Sequence, residues 1–224
     1  MADTQISFVG AIMFALATLL PIINPPGSAP IFLSMTRGAS DAMRATLAAR
    51  IARNSCVLLL AAMIAGSYVL MFFGLSLAVI RIAGGLLVVA TAWHLLRAEE
   101  FPDPAIVTAP TAAPLDPILS HSFYPLTFPV TIGPGSISIA VTLGAGVRLD
   151  TPGSPLAVLG AVTAMVVVSS TIYLCYRFAS RLVRVLGGNG TLVLLRLSAF
   201  ILLAVGIQIL CDGLVERFTV RATP

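Results

Sequence analysis

Charged residues are scarce in this chain, and lysine is absent altogether. Only 10% of the 224 residues are charged, whereas 58% are hydrophobic, and the mean hydropathy is +1.02. A soluble domain carries roughly 25% charged residues, so this composition excludes that class. The 13 basic residues are all arginine, and a net charge of +4 does not indicate a nucleic-acid partner. We therefore predict an integral membrane protein.

Cysteine and catalytic motifs are also rare. Cys56, Cys175 and Cys211 lie within or at the ends of apolar stretches and lack framework spacing, so neither a disulfide nor a metal site is predicted. The chain has no HExxH motif, no nucleophile elbow and no pair of carboxylates inside an apolar stretch. These absences predict a protein that is not an enzyme and that has no cofactor.

The sequence is rich in long uncharged stretches. They cover residues 4–36, 54–80, 82–96, 117–147, 151–176 and 197–211. About 20 residues of helix cross roughly 30 Å of hydrocarbon, and nothing alternates with the period of two that a membrane barrel shows. The acidic residue Asp3 argues against a signal peptide, so the first stretch counts as a span. The predicted fold class is all-α, a polytopic membrane protein with six transmembrane helices.

The two halves of the chain resemble each other. Pro26, Gly27 and Ser28 match residues 134–136 at an offset of 108. We predict a first three-helix repeat in 1–97, a cytoplasmic linker in 98–116 and a second three-helix repeat in 117–224. Because each repeat has an odd number of spans, the second enters from the opposite side, as in many secondary transporters. The predicted spans are 6–36, 47–72, 75–97, 117–146, 155–180 and 191–214.

Arginine counts orient the spans. Eight arginines fall in the connections and span ends of one side and three on the other side. Short cytoplasmic connections carry the excess of basic residues, so both termini are predicted to lie outside the bacterial cytoplasmic (inner) membrane. The lipid bilayer is thus the expected surrounding, and Trp93 is expected near the inner interface.

A helix-breaking run, Asn24 to Ser28, lies inside the first span. Asn24 can cap a helix that begins at Pro25, where a missing amide proton costs nothing. The free amides of Gly27 and Ser28 are then expected to face the break and to suit a carboxylate. The Asn24 side chain and nearby carbonyls would suit an ammonium, so a zwitterion fits.

A similar run breaks the fourth span. Gly133 stands in the place of the asparagine, and Pro134 takes the first helical position. The amides of Gly135 and Ser136 are expected to be free, and Thr131 adds a hydroxyl. Either break alone could be a structural kink, but irregular backbone at membrane depth is tolerated only inside protein or against a cavity. Two corresponding breaks favour a substrate site.

Other polar residues in the spans have less specific interpretations. Arg81 and Arg196 occupy matched positions, where they could bind a carboxylate, cap helix ends or extend to opposite interfaces, which is the simplest account. Gln208 and Asp212 lie one turn apart and could form part of a polar path, although Asp212 is close to the outer surface.

The two runs resemble those of the MarC family of bacterial and archaeal inner-membrane proteins. The resemblance rests on the stretches 21–33 and 128–137 and extends to 81–85 and 206–213, so it covers essentially the whole chain. It implies six spans in an inverted three-plus-three fold related to the LysE-type exporters. For characterised members it implies transport of small neutral amino acids such as glycine and alanine. The motif residues that carry over are Asn24, Pro25, Gly27, Thr131, Gly133 and Gly135.

The leading interpretation is a secondary transporter of small neutral amino acids that works by alternating access. Both broken helices would meet at the midplane and bind a zwitterionic amino acid there. The alternatives are a pore or exporter for another small solute and a membrane scaffold that transports nothing.

Overall fold

The computed structural model describes residues 8–36, 38–97, 122–146 and 154–219. Helices in these ranges are α1 Phe8–Ile23, α2 Pro25–Met35, α3 Asp41–Phe72, α4 Leu77–Arg97, α5 Ser122–Thr131, α6 Pro134–Gly146, α7 Ser154–Arg177 and α8 Ala179–Thr219. Within them, five helical segments are long and apolar enough to cross a membrane, with α1 and α2 counted as one, and the bent pair α5–α6 can be a sixth. The predicted all-α membrane fold is therefore confirmed.

Both predicted helix breaks are present. Asn24 separates α1 from α2 with φ 47° and ψ 60°, a left-handed conformation that asparagine adopts more readily than most residues. Helices α5 and α6 meet at an angle of 76°. Helix α5 is itself irregular, because Tyr124 and Phe128 are extended. Each of them precedes a proline, whose ring disfavours the helical conformation of the preceding residue.

Two spans differ from their predicted bounds by more than three residues within the described ranges. Helix α3 begins at Asp41, earlier than the predicted 47, because the Ser40 hydroxyl accepts a hydrogen bond from the Met43 amide at 3.2 Å and caps the helix. Helix α8 includes much of the predicted connection before residue 191 and bends at Gly187, where φ is +64°. Counting uncharged residues locates the apolar segments but not the ends of the helices. Because arginine favours helix, these two helices continue past the apolar segment into the arginine-containing connections.

Some predictions fall outside these ranges. The linker 98–116 and the first residues of the fourth predicted span, 117–121, lie outside the described residues. The inverted relation of the two repeats stays a prediction.

Glycines bring α4 and α8 into close antiparallel contact. A Cβ on Gly85 would lie 2.7 Å from the Leu210 amide nitrogen, and one on Gly213 would lie 3.0 Å from the Ala78 carbonyl oxygen. Such close backbone approach is how membrane helices associate without a hydrophobic driving force between them. An ion pair between Arg81 Nη1 and Glu216 Oε2, at 2.6 Å, joins the same ends of these helices.

Candidate functional site

The break in the first span is built around the Asn24 side chain. Its Oδ1 accepts a hydrogen bond from the Gly27 amide at 3.2 Å, and its backbone carbonyl accepts one from the Ser28 amide at 3.0 Å. The predicted cap is thus confirmed, with Pro25 at the first position of α2. The prediction that the Gly27 and Ser28 amides are free is wrong, because a left-handed asparagine places both of its oxygens over the first turn of the helix.

In the fourth span, the backbone amides at the start of the helix after the break have fewer acceptors than those at the start of α2. Gly133 accepts a hydrogen bond from the Ile137 amide at 3.2 Å, and Pro134 is the first residue of α6. Gly135 and Ser136 therefore belong to the first helical turn, where backbone amides have no intrahelical acceptor. Gly135 also allows close packing, since a Cβ there would overlap the Val88 side chain.

One cavity of about 390 Å³ joins the two breaks. Of the described residues, six polar ones line it: Asn24, Ser28, Ser34, Thr91, Thr131 and Ser136. The backbone of Gly27, Gly133 and Gly135 also contributes to its wall. The structure therefore brings together seven of the eight residues predicted for the substrate site. The eighth, Pro25, is buried beside the cavity.

The rest of the cavity wall is aliphatic. It runs along α2 to Met35, along α4 to Leu95 and along α8 to Leu195. No charged side chain of the described residues contributes to the lining. Burying a net charge in such surroundings costs several kcal/mol, whereas a molecule without net charge avoids that cost. The cavity therefore suits a neutral or zwitterionic molecule.

Tyr176 is a residue that the sequence analysis missed. Its ring is 1% exposed and stacks on Phe32 with the centroids 4.6 Å apart and the planes 9° from parallel. Its hydroxyl lies 2.9 Å from the hydroxyl of Thr131. Tyr176 thus contacts the helices on both breaks from α7. A tyrosine inside an apolar span, one residue before Arg177, was the only signal in the sequence.

The other predicted polar residues lie elsewhere. Gln208 Nε2 donates a hydrogen bond to Asp212 Oδ1 at 2.8 Å, but both side chains are exposed and neither lines the cavity. Arg81 is paired with Glu216, a contact that charge counting did not predict. Arg196 is exposed on α8. In the part of the chain that the structure describes, no group of three His, Cys, Asp or Glu side chains could hold a metal ion.

Comparison with known proteins finds membrane proteins that are similar over most of this chain. A membrane protein of Archaeoglobus fulgidus named UPF0056 membrane protein is 28% identical over 200 residues, which cover 89% of this chain and 90% of the relative. The UPF0056 inner membrane protein MarC of Citrobacter koseri is 28% identical over 212 residues, 92% of this chain and 95% of the relative. The protein of that name from Escherichia coli O1:K1 is 27% identical over 213 residues, with the same two shares.

No solved structure matches the chain significantly. The family profile described as MarC family integral membrane protein matches residues 9–218, which is nearly the full length. The chain therefore belongs to the MarC family of integral membrane proteins.

Proposed function

We propose that this protein is a secondary transporter that moves small neutral amino acids, of the glycine and alanine class, across the bacterial inner membrane by alternating access. The observation that carries the proposal is the cavity of about 390 Å³ where both broken helices meet. Broken helices at membrane depth are a common way to build a midplane site, because helix ends supply polar groups without a charged side chain. The names of the relatives, which are inner membrane proteins, support the location.

The composition of the cavity supports a zwitterionic substrate. A zwitterion carries no net charge, so the uncharged lining suits it, and its two charged groups need hydrogen-bond donors and acceptors. The polar residues supply both kinds of group close to the breaks. The relation to LysE-type exporters and the inverted arrangement of the repeats are part of this proposal.

The direct test is counterflow in vesicles that contain the purified protein. Labelled alanine outside should accumulate transiently when unlabelled glycine or alanine is loaded inside, and uptake should saturate. A variant that fills the cavity, Ile31→Trp, should abolish uptake. The matched control Ile207→Trp, on an exposed face of α8, should retain it.

Two results would contradict the proposal. Flux that rises linearly with concentration and shows no counter-transport would instead identify a pore. Flux equal to that of protein-free vesicles for every neutral amino acid would favour a scaffold.

A further inference from the structure

Most hydroxyls in the cavity can accept a hydrogen bond but cannot donate one to a ligand. A serine or threonine hydroxyl has a single proton. Four of the five lining hydroxyls donate it to a backbone carbonyl: Ser28 to Ile23 at 3.3 Å, Ser34 to Ile31 at 2.8 Å, Thr91 to Leu87 at 2.8 Å and Thr131 to Leu126 at 2.6 Å. These oxygens retain only lone pairs, which suit a ligand group that donates.

Two side chains in the same cavity can donate a hydrogen bond to a ligand. The Gly27 amide can only donate, so the end of the Asn24 side chain that faces it must be the oxygen, Oδ1. The other end is therefore the Nδ2 group. That Nδ2 has no acceptor among the described residues, and the same holds for the Ser136 hydroxyl, although Ser136 is only 1% exposed. Both donors line the cavity, together with the first turn of α6.

Tyr176 helps to determine whether the Thr131 hydroxyl donates or accepts a hydrogen bond. Since the Thr131 proton goes to the Leu126 carbonyl, the proton in the 2.9 Å contact between the two hydroxyls must come from Tyr176. This donation leaves Thr131 as an acceptor and holds its side chain in one rotamer. The stack on Phe32 in turn holds the Tyr176 ring.

We propose that the cavity binds its substrate in one orientation. The carboxylate lies against Asn24 Nδ2, the Ser136 hydroxyl and the first turn of α6, and the ammonium lies against the oxygens of Thr131 and Ser28. A carboxylate only accepts and an ammonium only donates, so each meets its complement, and the positive end of the α6 dipole faces the negative group. Tyr176 is a positioning residue that acts through Thr131. The inference rests on the proposed amino-acid transport and reverses the role that the sequence predicted for Asn24.

The decisive variant is Asn24→Asp. The new side chain still accepts from the Gly27 amide, so the cap and the fold are retained, but its donor is replaced by a negative oxygen. Because a charged hydrogen bond to the carboxylate is lost, the half-saturation concentration for alanine counterflow should rise by at least about tenfold. The rise should be larger in alkaline than in acidic buffer, because protonation restores a donor.

If the substrate binds in the opposite orientation, Asn24→Asp should change the half-saturation concentration in the opposite direction. With the ammonium at this position, Asn24→Asp would lower the half-saturation concentration, and that result would overturn the inference. The matched control Asn189→Asp, on an exposed part of α8, should leave it unchanged. Wild-type protein that moves no neutral amino acid would instead overturn the proposed function itself.

The ammonium side is tested with Thr131→Val, Thr131→Ser and Tyr176→Phe. The valine variant should raise the half-saturation concentration for alanine about tenfold, and the serine variant should restore it. Tyr176→Phe keeps the ring stack and should produce a smaller rise, with an unchanged thermal unfolding temperature. Thr171→Val, an exposed hydroxyl on α7, is the control.

Inhibition by propionate separates positioning from general damage. Propionate has no ammonium, so its inhibition constant should be the same in wild type, Thr131→Val and Tyr176→Phe. If the affinities for alanine and propionate fall together, Thr131 and Tyr176 have only a structural role and the assignment of the ammonium is wrong.

Discussion

At the scale of single residues, Asn24 performs two tasks at once. Its left-handed backbone ends α1, and its side chain caps α2 through the Gly27 amide. Gly27 is required by this arrangement, because a Cβ there would overlap the Asn24 amide group and lie 2.8 Å from its Cγ. In the fourth span the matched glycine, Gly135, is required for a different reason, because a Cβ there would overlap the Val88 side chain, whereas a Cβ on Gly133 would lie 3.7 Å from the Pro129 carbonyl oxygen.

The contrast predicts different costs for the same substitution. Gly27→Ala should push the Asn24 side chain off the helix start and lower the free energy of unfolding by about 1 kcal/mol or more, the usual cost of a lost cap. Gly133→Ala should leave stability within about 0.5 kcal/mol, as expected of a change without a clash. Thermal unfolding of the two purified variants compares them, and equal shifts would contradict the proposed role of the Asn24 cap.

At the scale of elements, α6 is packed much more closely than α2. A Cβ on Gly144 would overlap the Met63 carbonyl of α3, and one on Gly84 would lie 2.6 Å from the Ser138 side chain of α6. The Ser138 hydroxyl also donates a hydrogen bond to the Ile80 carbonyl at 3.0 Å. Helix α2, in contrast, has the cavity along its side. The two broken spans therefore differ in packing although their motifs match.

A methyl group in the α3–α6 contact should separate these helices. Gly144→Ala is expected to lower the free energy of unfolding by about 1–3 kcal/mol, the range for overpacking a close contact. Gly188→Ala is the control, because no atom of the described residues lies within 4 Å of a Cβ at that position. Thermal unfolding in detergent measures both. A Gly144→Ala protein as stable as wild type would mean that the helices separate without cost.

At the scale of the whole molecule, the described lining of the cavity extends from the two breaks toward one end of the helix bundle. Its aliphatic part runs to Met35, Leu95 and Leu195, near the end that sequence analysis predicts to be cytoplasmic. The other end carries the glycine contacts and the ion pair between Arg81 and Glu216. Both partners are partly exposed, so the pair contributes less than about 1 kcal/mol. Among the described residues, backbone packing rather than charge therefore holds α4 against α8 there.

This asymmetry predicts accessibility from one side. In a variant without cysteine, Ser34→Cys should react with a membrane-impermeant thiol reagent added from the cytoplasmic side and not from the outside. Val141→Cys, which replaces a residue 6% exposed beside Gly66, should be protected from both sides. Labelling of oriented membrane vesicles followed by mass analysis distinguishes these cases. Labelling of Ser34→Cys only from the outside would reverse the predicted topology.

Local chemistry made much of this site predictable. Asn24 before two prolines, and Gly133 before Pro134, combine a residue that favours a helix cap with proline at the first helical position, so both breaks could be located from the sequence. The Tyr176 contact could not be predicted, since its partners Phe32 and Thr131 are distant along the chain. The occupancy of the Gly27 amide followed from the predicted cap itself, because Pro26 has no amide proton and Gly27 is then the only donor within reach of a capping side chain.

The sequence by itself determined that the chain is an all-α membrane protein with two broken spans, because composition, uncharged length and helix-breaking residues act locally. Only the tertiary structure decided that both breaks share one cavity, along which helices its described lining extends, and which polar atoms remain free to bind. Those properties depend on how helices distant in sequence pack and on which hydrogen bonds their atoms have already formed.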